Sequence, residues 1–209
     1  MKSSAILITT LLLAPSILHI SAVAAQDALP DFPGYITQSI IDGNALSNVR
    51  GRFAVNMAAG DSNVQANAAA VALGAQGGPI IGLVGGIQVT DPRQANLPDL
   101  AIASIGVNVF ANSSGLISVN QTSGVGNAQA NGAAFAVGFD EVVAESVLSA
   151  TTSNAVPIGA GTGKSHQAVS INDTAFNGTH GLVQVNQSAG SGNSTANNFA
   201  LQVQLGAKP

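Results

Sequence analysis

Residues Gly115 to Asn131 read GLISVNQTSGVGNAQAN, with no charged side chain among them. In the second half, Asn127, Gln129 and Asn131 fall at every other position. A polar period of two places these amides on one face of a strand. The central Gly124-Val125-Gly126 suits a sharp bend with positive φ. The segment therefore reads as strand, tight turn, strand, with uncharged amides lining one side.

The same pattern occurs three times. GRFAVNMAAGDSNVQANAAAVAL from Gly51, GLISVNQTSGVGNAQANGAAFAV from Gly115 and GLVQVNQSAGSGNSTANNFALQV from Gly181 align without a gap, and eight of 23 columns are identical in all three. The likeness runs upstream, where Ile41, Ile105 and Ile171 correspond, as do Leu46, Phe110 and Phe176. Internal repeats at a fixed spacing mark stacked architectures. The repeats span residues 38–73, 102–137 and 168–203, separated by linkers at 74–101 and 138–167 and followed by a tail at 204–209. Each reads as three or four short strands joined by tight turns.

A single repeat would leave rows of backbone N–H and C=O groups unpaired at its strand edges. Stacking the repeats in register pairs those rows at about 4.8 Å per layer. It also sets like upon like: Asn56, Asn120 and Asn186 in one column, Asn63, Asn127 and Asn193 in a second, Asn67, Asn131 and Asn197 in a third, and Gln65 above Gln129. A primary amide carries both donor and acceptor, so a column of amides satisfies itself, whereas a column of like charges repels. Gly60, Gly124 and Gly190 take the turn position. The expected fold class is all-β: a β-solenoid or stacked Greek-key layers built from three imperfect repeats, with loop or short-helix linkers. DEVVAESVLSA, from Asp140 to Ala150, is the candidate helix, with Val142, Val143, Ser146 and Val147 on one side. Gly74 to Asp99 reads as loop with one strand.

Composition narrows the function. Charged residues make up 8% of the 209-residue chain, against roughly 25% in ordinary domains, and there is no Trp. Cohesion must come from backbone pairing rather than from large side chains. The net charge of −4 and the lack of a basic patch argue against nucleic acid. The absence of Cys removes disulfides, thiolate metal sites and thiol nucleophiles. Residues 1–25 have the form of a secretory signal peptide: Lys2, an apolar run from Ala5 to Ile20, then Ala22-Val23-Ala24-Ala25. Residues 26–37 read as a flexible N-terminal segment, and no later run reaches membrane-spanning length.

Possible chemistry is sparse. GAGTGKS, Gly159 to Ser165, lacks the first glycine of a phosphate-binding loop, its place being taken by Ile158. Ser165, His166 and Asp173 have no nucleophile elbow or oxyanion hole to make them a triad; His166 reads as a solvated loop residue and His180 as part of a turn. Asp140, Glu141 and Glu145 read as a solvated face rather than a metal or glycosidase site. The six Asn-x-Ser/Thr sequons, at Asn112, Asn120, Asn172, Asn177, Asn186 and Asn193, follow from the abundance of these residues. No enzyme activity and no cofactor is expected.

The pattern VNMAAGDSNVQANAAAVAL, with two degenerate copies and two linkers, resembles the repeats of the Fap functional-amyloid subunits of bacterial biofilms, and more loosely those of curli subunits. The chain departs from Fap subunits in ending LQVQLGAKP without Cys-x-x-Cys. The resemblance implies export through an outer-membrane pore, extracellular self-assembly into cross-β fibres, and other fibre subunits as partners. The alternative from the residues alone is a monomeric β-solenoid adhesin that binds a surface or glycan.

Overall fold

Val, Ile, Ala and Asn alternate through most of the chain, and short alternating runs bounded by Gly and Asn form strands. A computed structural model describes residues 34–74, 78–92, 96–139, 141–153 and 165–206. It contains β1 (Ile36–Ile41), β2 (Arg50–Ala59), β3 (Val64–Leu73), β4 (Ile80–Thr90), β5 (Leu100–Ile105), β6 (Ser114–Val125), β7 (Ala128–Gly138), β8 (Val142–Thr152), β9 (His166–Ile171), β10 (His180–Ser191) and β11 (Ser194–Gln204), with no helix among the described residues.

The strands form four parallel sheets. The first has the order β1-β5-β9, the second β2-β6-β10, the third β3-β7-β11 and the fourth β4-β8. Each repeat supplies one strand to each of the first three sheets, and the second repeat lies in the middle of all three. The register is that of the alignment: Asn56 and Asn186 both pair with Asn120, and Asn67 and Asn197 both pair with Asn131. The sheets pack face to face in numerical order. The chain thus winds through the sheets in turn and returns to the first at the next layer, as in a β-solenoid.

The candidate helix in the second linker is instead β8. Over so short a run, Val142, Val143 and Val147 fit either period. The strand prevails because Ala130, Ala134 and Ala136 on β7 offer a flat face, onto which Val142 and Leu148 pack. β4 pairs with β8 over its whole length. The fourth sheet is offset by half a layer: β4 lies against β3 and β7, and β8 lies against β7 and β11. His166 and His180, expected in a loop and a turn, are the opening residues of β9 and β10. β1 begins at Ile36, inside the segment read as a flexible N-terminus. The signal-peptide residues 1–25 and most of GAGTGKS lie outside the described residues.

Each gap between sheets has its own chemistry. Between the first and second sheets, Ile41, Ile105, Val109, Phe110, Ile117 and Val119 form an apolar core. Phe110 stacks on Phe176 with centroids 5.1 Å apart and planes 7° from parallel. Leu46, Phe110 and Phe176 all sit at positive φ (56°, 60° and 62°), a region costly for side chains of this kind. Burial of the ring and the bonds from Phe110 N to Ala45 O (3.0 Å) and Phe176 N to Val109 O (2.8 Å) hold the turn there. Between the third and fourth sheets the packing is of alanines. The approach is close enough that a Cβ on Gly82 would lie 2.7 Å from the Phe135 carbonyl oxygen. Between the second and third sheets the filling is amide.

Candidate self-assembly face

The strand–turn–strand of each repeat folds the second and third sheets together, so that even-numbered side chains of β6 meet odd-numbered side chains of β7. Asn120, Asn127, Gln129 and Asn131 of the middle repeat are fully buried, and a buried amide must be hydrogen-bonded to be tolerated. Asn120 Nδ2 donates to Asn56 Oδ1 and Asn186 Nδ2 to Asn120 Oδ1, both at 3.0 Å. Asn131 Nδ2 donates to Asn67 Oδ1 at 3.0 Å, and Asn197 Nδ2 to Asn131 Oδ1 at 2.9 Å. The two columns are cross-linked within each layer, by Asn67 to Asn56 (2.7 Å), Asn131 to Asn120 (2.9 Å) and Asn197 to Asn186 (2.9 Å).

The third column lines the glycine turn. Asn127 Nδ2 donates to Asn63 Oδ1 (2.9 Å) and Asn193 Nδ2 to Asn127 Oδ1 (2.8 Å). Asn63 and Asn127 also reach one layer on, to the carbonyls of Gly124 (2.9 Å) and Gly190 (3.0 Å); Asn193 bonds within its own layer to Ala189 O (3.2 Å). Gly60, Gly124 and Gly190 have φ of 97°, 124° and 102°. A Cβ on Gly124 would lie 1.8 Å from the Gly190 carbonyl oxygen, so glycine is required there by stacking as well as by φ.

These columns have a direction. In all three, the third repeat donates to the second and the second to the first. The Gln65 to Gln129 bond (2.9 Å) runs the other way, and its column ends at Thr195. Because the oxygen and nitrogen of an amide diverge, the Asn columns leave carbonyl oxygen toward the outer side of the third repeat and N–H toward that of the first. One end of the stack is complementary to the other and not to itself.

Two further groups were not singled out from the sequence. Gln187 Nε2 donates to Gln121 Oε1 (2.8 Å), and Gln121 Nε2 ties the second sheet to the first through Ser39 O (2.7 Å) and Ser104 O (2.9 Å). The column is broken by Met57 in the first repeat, which hides it in the alignment. Asn198 replaces the Ala68 and Gly132 of the other repeats and makes a pair of bonds to the edge of β8, accepting from Leu148 N (2.7 Å) and donating to Leu148 O (2.8 Å). Ser194 donates to Ala150 O on the same strand. These side chains stand where a third strand of the fourth sheet would run. Their signal in the sequence is polarity in the third repeat at columns that are apolar or glycine in the other two.

Among the described residues, those considered for chemistry do not assemble, and Asp140 lies outside the described residues. Asn120 and Asn186, two of the sequon asparagines, are buried in the columns. Ser165 Oγ donates to Pro98 O, and Glu145 is exposed on the outward face of β8. Among the described residues no group of three His, Cys, Asp or Glu could hold a metal ion. A family model described as the functional amyloid protein FapB/FapC family matches residues 21–204. No solved structure matches the chain.

Proposed function

The chain belongs to the functional amyloid protein FapB/FapC family, and from that premise we propose that it is exported, polymerises head to tail and serves as structural fibre material of a biofilm matrix. It acts without catalysis and without a cofactor. Its partners are further copies of itself, other fibre subunits and an outer-membrane export pore. The assembly residues are the amides of the three Asn columns and Gln65 with Gln129, and Gly60, Gly124 and Gly190 let the layers close up.

The observation that carries this reading is the common direction of the Asn columns. A second copy laid with its first repeat on the third repeat of another extends each column without reversal. Asn56, Asn63 and Asn67 of the newcomer fall over Asn186, Asn193 and Asn197. Asn193 gains the Gly60 carbonyl that its counterparts already have in the next layer. The first three sheets then run on through the junction at about 4.8 Å per strand.

The test is incubation of the chain from Gln26 onward, followed by thioflavin fluorescence, electron microscopy and fibre diffraction. Unbranched filaments with a meridional reflection near 4.8 Å are expected. Replacing Asn67, Asn131 and Asn197 together by Asp sets carboxylates about 4.8 Å apart in one column. At an effective dielectric near 20 each adjacent pair costs roughly 3.5 kcal/mol. Normal growth of that variant at neutral pH and low salt would remove the columns from the mechanism.

A further inference from the structure

β4 and β8 turn one face to the alanines of the third sheet and the other to solvent. On the solvent face β4 presents Ile81, Leu83, Ile87 and Val89, which are 53%, 57%, 72% and 62% exposed, and β8 adds Val147 at 57%. Gly85 makes a notch between Leu83 and Ile87. Glu145 is the one charged group that these two strands place there, and Ser149 and Thr151 of β8 are polar beside Ile87 and Val89, so the apolar row is that of β4 with Val147. The outward face of the first sheet, at the other side of the stack, is interrupted by Gln38, Ser104, Ser170 and His166. An apolar sheet face left in water marks an interaction surface.

The area indicates what covers it. Two eleven-residue strands, at about 3.3 Å per residue and 4.8 Å spacing, present roughly 350 Å². A stable interface needs about 800 Å² from each partner, so one copy offers less than half. Three stacked copies exceed that figure. The occupant must therefore repeat along the stack with the same spacing, three layers or about 14 Å, and be apolar at the same intervals. A second stack of this chain meets both conditions, and a repeating array binds through many weak contacts at once.

We propose that two stacks of this chain lie side by side, the fourth sheet of one against the fourth sheet of the other, with the Ile81–Val89 rows of β4 at the seam. This rests on the stacking reading above, but the two fail differently. Without stacking there are no filaments; without pairing there are filaments of a single stack.

The experiment is mass per unit length of unstained filaments by scanning transmission electron microscopy, on the wild type and on two double variants, Leu83→Lys with Ile87→Lys and Leu83→Thr with Ile87→Thr. The wild type is expected to carry two copies per ~14 Å, and both variants one, a twofold drop. Seeded elongation should stay within about twofold of wild type, because the face joins stacks and does not build them. Wild-type filaments with one copy per repeat, or variants that keep two, would overturn the proposal. So would loss of all filaments in both variants, since the face would then be needed for stacking itself. Phosphatidylcholine vesicles form a further arm. Single-stack wild-type filaments that sediment with vesicles, and lysine variants that do not, would assign the face to a lipid surface and overturn pairing.

Discussion

Gly51 and Gly115 occupy the same position in successive repeats, yet alanine at the two should have opposite consequences. Both have positive φ, 110° and 127°, so either substitution carries strain of about 1–3 kcal/mol. At Gly115 the added Cβ would also lie 2.0 Å from the Gly51 carbonyl oxygen, inside the folded chain. At Gly51 it meets nothing within 4 Å, because none of the described residues forms a layer beyond it. In a head-to-tail filament that space holds Gly181 of the neighbouring copy, and the same collision appears at the junction. Relieving it means opening the layers by more than 1 Å, past the range of the ladder hydrogen bonds. Loss of two or three bonds at about 1 kcal/mol each weakens the junction by about 2–3 kcal/mol, or roughly 30- to 150-fold. Gly51→Ala should therefore fold, with its midpoint lowered only by the φ strain, and leave 30- to 150-fold more soluble protein at the plateau of seeded growth. Gly115→Ala should fail to fold. The readouts are circular dichroism of the monomer and protein left in the supernatant after sedimentation. A folded Gly51→Ala monomer with a wild-type plateau would refute head-to-tail stacking of the first repeat on the third.

Three further outcomes are expected. Asn131 donates to Asn67 Oδ1, Val119 O and Asn120 Oδ1, so Asn131→Asp directs a buried carboxylate at three acceptors. Its folded pKa must rise, and the stability of the variant should be highest when the group is protonated and fall as pH increases, which denaturation at pH 4 and pH 7 will show. Tyr35 has its pKa raised above 10.0, first by burial and then by the Asp61 carboxylate that its hydroxyl faces. A raised pKa means stability present below the unfolded value and lost as pH climbs through the folded one, so Asp61→Asn should lower the tyrosinate midpoint in an ultraviolet titration. Asn198→Ala should speed hydrogen exchange at the Leu148 amide several-fold, with little change at Val147, if Asn198 closes that strand edge.

The layered architecture could be read from the sequence because identical residues at fixed offsets carry their own alignment. Val55, Val119 and Val185, with the asparagines beside them, set the register of whole strands before any packing is considered. β8 was not legible in the same way. It pairs with β4, whose Ile80 meets its Val142 from the other side of a whole repeat, and the alanines of β7 that back it, though next to it in the chain, form a flat face only once the layers have stacked. The left-handed turn at Leu46, Phe110 and Phe176 runs against local preference and exists because stacked rings and interlayer backbone bonds outweigh that cost. The Asn columns were visible since all three repeats carry them. The Gln121–Gln187 tie and the Asn198 cap were hidden because each belongs to only part of the repeat set.

The half-layer offset of the fourth sheet is a form of masonry. β4 straddles the joint between the first and second courses, and β8 the joint between the second and third. Nothing described straddles the joint between the third course of one copy and the first of the next. A filament under shear should thus fracture at boundaries between copies and leave the interior of each intact. Every fragment then begins on a first repeat and ends on a third, so breakage multiplies growing tips without creating a new kind of surface.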